Sequence, residues 1–551
     1  MSTPHDERLA LARTLAGLQG RKKIDALLDA PDPRALVRSL PAEDLYFTLK
    51  EVGLDDAGEL VELASPAQFR AFVDLDIWRQ GELQPRALLP WLGAAMEGKD
   101  FLRKLRALDL EVVELLLHET VQLWDREEEP DREPQGAPWT SPEGRYVLDF
   151  LAEGESLQIL KRTVESYYQE NPLEAVRFLE AVRWELPSEL AETARRFRAG
   201  RLADLGFPEL EQALALYAYV DPDAALPTLH SAPAEPPGFF LASLGSQGFL
   251  DDALGRLGAE GLARIDRELA YVFNGALVAS GVEPGDLAAV RPALAAARAH
   301  LSLGLEYAAK GDVATAGELL LTSPIARVFQ VASGLTLKRK FRADRLMKGG
   351  FASFPGARGA CWFDAPLAEA VEGLRRKRPV LAVALEREEG HGHRPFATRA
   401  DLALADGALD RAEALAALAE RIGLDPAQCE SAARASRGEH FADVRLSTLL
   451  LHRAVQGRGR VVDRIAPLSL DALRDGVRWA LDTSGQPSEA LRGALTSKLA
   501  EGAESALDRQ MAEALIEYAL ARAVEDLGPL RDDPNLEPAV LAAAPLLVAL
   551  G

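Results

Sequence analysis

The chain has 551 residues, 48% of them hydrophobic, and a formal charge of −22. That length can bury several cores, so roughly two to four structural units are expected. The acidic balance argues against generic binding to nucleic acid or anionic membrane, because the average surface repels phosphate; two cysteines with no C-x-x-C spacing imply neither a disulfide framework nor a thiolate zinc site.

From the amino terminus, MSTPHDERLALARTLAGLQGRKK lacks the continuous apolar run of a signal peptide. Leu and Ala dominate while aromatics are only 6%, a balance that favours helix because these side chains lose little rotamer entropy there. Helical patterns run over 41–53, 109–123, 155–170, 172–186, 260–281 and 284–310. Ser65-Pro66-Ala67-Gln68 reads as a capping box with proline at the first helical position. The same grammar returns at Asn171-Pro172-Leu173-Glu174 and Asp425-Pro426-Ala427-Gln428. After the first of these, Phe69, Phe72 and Val73 form one apolar face, and Asp74-Leu75-Asp76 falls where the helix ends. We read the two aspartates as a joint that satisfies local backbone amides, not as paired catalytic carboxylates, and Trp78 as a core residue. GELVELASPAQFRAFV (58–73) echoes GELLLTSPIARVFQV (317–331), which has Ala332-Ser333-Gly334 in place of the aspartates. Two copies fix no repeat period.

Residues 36–92 carry Leu-Pro-Ala-Glu-Asp-Leu-Tyr, Ala-Ser-Pro-x-Gln and Asp-Leu-Asp-x-Trp steps. In these segments the chain resembles a family of uncharacterised bacterial all-helical proteins catalogued only as a domain of unknown function. Segments 205–222 and 301–320 are similar to the same family, so the resemblance extends over most of the chain. It implies no activity. The first segment also resembles helical superhelix modules such as the cytoplasmic domain of magnesium transporters, an analogy of architecture alone.

Composition divides the chain into helical units at 1–123, 143–229, 239–348 and 360–551. Between them lie an acidic, proline-rich connector at 124–142, a proline-rich break at 230–238 and a glycine-rich break at 349–359. PVLAVALERE, 379–388, leaves strand and helix both open. The apolar segment 538–551 is shorter than the roughly 18–20 residues of a spanning helix, and Pro545 interrupts it. The expected fold is all-α: a multi-unit array of short capped helices, partly superhelical over 32–123 and 260–349, with little or no sheet.

Chemistry-bearing motifs are scarce. No Walker, Rossmann, His-Glu-x-x-His or Gly-x-Ser-x-Gly pattern is present, and nothing calls for a cofactor. His391-Gly392-His393 is the close histidine pair, but flanking glycines make a poor metal site. Cys361 lies beside Asp364 and suits a small buried residue better than a nucleophile. One segment breaks the charge pattern. Residues 335–378 hold eleven bases against four acids, and over 324–348 Lys338, Arg342 and Arg345 form a helical stripe, with Arg339 and Lys340 beside it. Lys338, Arg339, Lys340, Arg342 and Arg345 are therefore the candidate site for an anion, a nucleic-acid backbone or an acidic partner. The competing reading is that they pair with the chain's own acids. The favoured function is a cytoplasmic, non-enzymatic scaffold or adaptor whose helix grooves bind a protein partner. The alternative is anion or nucleic-acid binding through 335–378, and an enzyme using Cys361 or His391 and His393 is the third.

Overall fold

A computed structural model describes residues 20–228 apart from 80, residues 248–348, and residues 362–549 apart from 388, 389, 461, 463 and 532–545. The expected breaks at 230–238 and 349–359, and Cys361, lie outside the described residues. Helices dominate and strands are few and short, so the chain is helical as its composition requires. Contacts divide it into two compact units, between Val331 and Ala332.

The first unit opens with helices α1 (Gly20–Leu28), α2 (Pro33–Ser39), α3 (Ala42–Val52), α4 (Leu54–Leu63) and α5 (Pro66–Asp76). A two-residue hairpin, β1 (Trp78–Arg79) and β2 (Glu82–Leu83), leads to α6 (Leu89–Met96), α7 (Phe101–Leu105) and α8 (Leu110–Thr120). Strands β3 (Val121–Asp125), β4 (Ala137–Thr140) and β5 (Tyr146–Phe150) follow, then α9 (Gly154–Glu170), α10 (Pro172–Trp184), α11 (Pro187–Asp204) and α12 (Leu210–Ala215). The unit continues through α13 (Phe249–Arg256), α14 (Ala259–Ser280), α15 (Leu287–Ala308) and α16 (Val313–Thr322) into the start of α17 (Ile325–Leu346).

The helix starts follow from residue type. Ser65 Oγ accepts from the Gln68 amide at 3.2 Å, and Gln68 Oε1 accepts from the Ser65 amide at 2.8 Å, a reciprocal capping box. Asn171 Oδ1 accepts from Leu173 and Glu174, and Asp425 Oδ1 from Gln428 at 2.8 Å. Both copies of the sequence echo are helix, Ser-Pro, helix, but they are capped differently. In the second, the Ile325 amide donates to Glu268 of α14 at 2.8 Å.

The segment 124–142, expected as an exposed connector between units, is exposed over 126–136 but lies within the first unit, joining β3 to β4 of a sheet with strand order β3-β5-β4. All pairings are antiparallel, with Val121 and Ala137 both opposite Phe150. Buried aspartates anchor it. Asp125 accepts from the Glu127 amide at 2.8 Å and from Arg145 Nε at 2.6 Å. Asp149 accepts from the amides of Gln135 (2.7 Å) and Gly136 (2.9 Å). A Cβ at residue 136 would stand 2.8 Å from Asp149 Oδ1 and 3.0 Å from the Phe150 carbonyl, so any other residue there would push the aspartate away. Acidic composition predicts solvation, and residues 126–136 are exposed; of the segment's acids only Asp125 is buried and gathers a backbone amide.

The second unit takes the rest of α17 and adds α18 (Leu367–Arg375), β6 (Leu381–Ala382), β7 (His393–Arg394), α19 (Arg399–Arg421) and α20 (Pro426–Arg437). Helices α21 (Leu446–Gly457), α22 (Leu470–Ala480), α23 (Glu489–Gly502) and α24 (Ala506–Arg531) complete it. Among the described residues of 379–388, only Leu381–Ala382 is strand, followed by a 3-10 turn over Val383–Leu385. No helix among the described residues is long and apolar enough to cross a membrane.

Residues 546–549 pack into this unit, with Leu546, Leu547 and Val548 fully buried. The Leu547 amide, a donor only, lies 3.2 Å from His452 Nδ1, so Nδ1 must accept. Nε2 therefore carries the proton and donates to the Ala466 carbonyl at 2.9 Å. Burial holds this neutral imidazole's pKa down to about 4, the nearby Arg437 charge acting in the same direction. The folded chain thus refuses a proton that the unfolded chain takes up near 6.5. The resulting stability is complete above pH 6.5 and is lost as pH falls towards 4. It amounts to about 3 kcal/mol at one pKa unit per 1.36 kcal/mol. We expect urea midpoints of the wild type to fall more steeply between about pH 7 and 4.5 than those of His452→Asn; parallel slopes would rule this titration out.

Candidate functional site

The last turn of α5 is buried, and its carboxylates bind side chains of three other helices. Asp74 Oδ2 accepts from Arg201 Nε at 2.6 Å, and Oδ1 from Arg201 Nη2 at 2.8 Å. The same guanidinium donates to both oxygens of Asp109, at 2.9 and 2.5 Å. Burial opposes the charge on Arg201, but the two carboxylates hold its pKa above the ordinary value. Arg198 donates to the Asp74 carbonyl at 2.7 Å, lies over the Trp78 ring at 4.9 Å and faces Glu283 at 3.6 Å. Asp76 takes donors from two helices. Tyr46 Oη (3.0 Å) and Lys50 Nζ (2.8 Å) reach Oδ1 from α3, and Trp91 Nε1 (2.8 Å) reaches Oδ2 from α6. Burial and the Asp76 charge both push the Tyr46 phenol up, so it stays a donor.

The aspartates are a joint, but not through the local backbone amides expected of them. Their hydrogen-bond partners come from α3, α6 and α11, as a buried carboxylate needs opposite charge or several donors. This arrangement ties helices together; each oxygen of Asp76 already accepts a hydrogen bond.

The basic stripe of α17 meets an acidic stripe of α19. Arg339 pairs with Asp406 at 2.5 Å, and Arg342 with Asp410 (2.5 Å) and Glu413 (2.7 Å). Lys340 Nζ donates to the Arg375 carbonyl at 2.6 Å and pairs with Asp344 at 3.1 Å. Hydrogen bonding to Glu413, ahead of the opposing effect of burial, raises Arg342 above its ordinary value. Lys338 and Arg345 are exposed. His391 is exposed too, whereas His393 Nε2 lies 3.0 Å from the Glu369 carbonyl, packed so closely on α18 that a Cβ at Gly373 would touch its ring. Among the described residues no group of three or more His, Cys, Asp or Glu is placed to hold a metal ion.

One exposed side chain is held like a buried one. Trp184, the last residue of α10, is 68% exposed, yet its Nε1 donates to Glu180 Oε2 at 2.9 Å and the Arg183 guanidinium lies 5.0 Å over its ring. Glu180 is fixed in turn by the hydroxyl of buried Tyr146 and by Arg183 Nη1 at 3.2 Å. Arg183 also pairs with Glu128 at 2.5 Å. The sheet and α10 thereby hold an indole at the surface in one orientation. Nearby in sequence, Leu173, Leu186, Phe197 and Leu210 are each at least half exposed.

Residues 4–545 match a family described as a family of unknown function, DUF6178. The chain belongs to that family. No curated protein and no solved structure matches it.

Sequence reasoning passed over Trp184, although a signal existed. Ala175, Phe178, Leu179 and Val182 form the buried stripe of α10 at i, i+3, i+4 and i+7, and Trp184 falls off that stripe. A large aromatic outside the apolar face of its own helix is worth marking.

Proposed function

We propose that the chain is a non-enzymatic helical scaffold or adaptor that binds a protein partner, with Trp184 as an anchor. The observation that carries this reading is an exposed indole fixed by Glu180 and Arg183. Tryptophan is enriched among residues that dominate binding energy, and an anchor already ordered loses less conformational entropy on association. The exposed Leu173, Leu186, Phe197 and Leu210 add apolar surface on the same run of helices. The pairing of Arg339 and Arg342 with α19 weighs against the anion-binding alternative, since those charges are already compensated. We assign the scaffold to a bacterial cytoplasm; its sparing use of cysteine suits such a reducing compartment.

The test is affinity capture of the tagged full-length protein from its own cells, with wild type, Trp184→Ala and a triple charge reversal of Lys338, Arg342 and Arg345 to Glu. A stoichiometric partner held by wild type and by the triple variant, and lost from Trp184→Ala at unchanged melting temperature, supports the reading. Loss from the triple variant alone, with release as salt rises, would transfer the function to the basic stripe.

A further inference from the structure

The second unit holds a short extended segment in a slot made largely by side chains. Val548 bridges Leu468 in parallel, the Leu468 amide donating to the Leu547 carbonyl at 2.8 Å and the Ala549 amide to the Leu468 carbonyl at 2.9 Å. Three further backbone groups are read by side chains of α20 and α21. His452 Nδ1 accepts from the Leu547 amide at 3.2 Å, Ser436 Oγ from the Val548 amide at 2.8 Å, and Arg437 Nη2 donates to the Leu546 carbonyl at 3.2 Å. Leu546, Leu547 and Val548 have no exposed surface, so the slot also encloses three consecutive branched aliphatic side chains.

A single β-bridge flanked by side-chain contacts holds the segment, and the division of labour is that of strand-addition recognition: main-chain hydrogen bonds give affinity and side-chain pockets give selectivity. None of these contacts depends on a covalent link between the segment and the slot. The seated segment defines the chemistry the slot takes: an extended stretch with the pattern Leu-Leu-Val, without charge. We propose that the slot formed by Ser436, Arg437, His452 and Leu468 is a receptor for an extended aliphatic peptide segment, and that Leu546–Ala549 is its resident occupant, which a competing segment of the same pattern displaces. The slot shares no residue with the Trp184 anchor, so either assignment can fail alone.

The probe is a fluorescein-labelled peptide of the sequence Pro545–Gly551, PLLVALG, titrated into full-length protein. In Leu547→Asp the resident segment is unable to re-enter the apolar slot, and saturable binding is expected. Wild type should bind at least about tenfold more weakly, because its own segment competes at high effective concentration. Adding Ser436→Val to Leu547→Asp removes the acceptor for one peptide amide and should weaken binding about tenfold or more. A folded Leu547→Asp protein that ignores the peptide, or binding indifferent to Ser436, overturns the proposal. If Leu547→Asp does not fold, wild type with excess unlabelled peptide is followed by amide hydrogen exchange. The Leu547 and Val548 amides should then exchange at least about tenfold faster, and an unchanged rate overturns the proposal equally.

Discussion

Arg201→Ala is expected to lower the stability of the first unit by about 3–5 kcal/mol, the range for removing one partner of a buried ion pair. The guanidinium serves Asp74 and Asp109 together, and both carboxylates are largely withdrawn from water: their side chains keep only 7% and 13% of their exposure. Removing it leaves two negative groups facing one another with no cation between them. Asp74→Asn should cost less, because Asp109 still holds the arginine and the amide oxygen still accepts. Urea unfolding followed by tryptophan fluorescence reads both variants. A shift below about 1 kcal/mol for Arg201→Ala would mean that water replaces the arginine and that the joint is solvated.

Trp78→Ala should be of similar size, about 3–5 kcal/mol, the range for a large aromatic leaving a core. Trp78 is 2% exposed and its ring supports the Arg198 guanidinium, so its loss opens a cavity and removes a cation–π contact together. Trp78→Phe should recover a good part of the loss by refilling the volume. An unchanged melting temperature with a lost partner would make Trp78 an interface residue instead.

What the sequence made legible was local. Ser65 and Gln68 announce a helix start because the two groups that satisfy each other are three residues apart. Leu- and Ala-rich patterns announce helix because propensity and apolar periodicity agree over long windows. The candidate site was legible only in its residue types. Arg339 and Arg342 were visible as a stripe, but their partners Asp406, Asp410 and Glu413 belong to a helix about seventy residues away. Asp74 and Asp76 likewise announced an end of helix and gave no sign of Arg201, Tyr46 or Trp91. The sheet was missed for another reason. Tyr146–Phe150 is too short for periodicity to speak, and the proline-rich acidic crossing that precedes it carries a strong signal for loop.

Asp76 has a consequence for how the amino-terminal helices come apart. Its carboxylate is satisfied only when α3 and α6 are both docked, since Tyr46 and Lys50 arrive on one and Trp91 on the other. Withdrawing α3 takes away the Lys50 ammonium and the Tyr46 hydroxyl together, and withdrawing α6 leaves Oδ2 without its Trp91 donor, so partial opening offers little relief over complete opening. Helices α3, α5 and α6 should therefore behave as one cooperative piece, their slowest amides sharing a single opening free energy in native-state hydrogen exchange. Asp76→Ala would remove that mutual dependence, and the three helices should then exchange at separate rates.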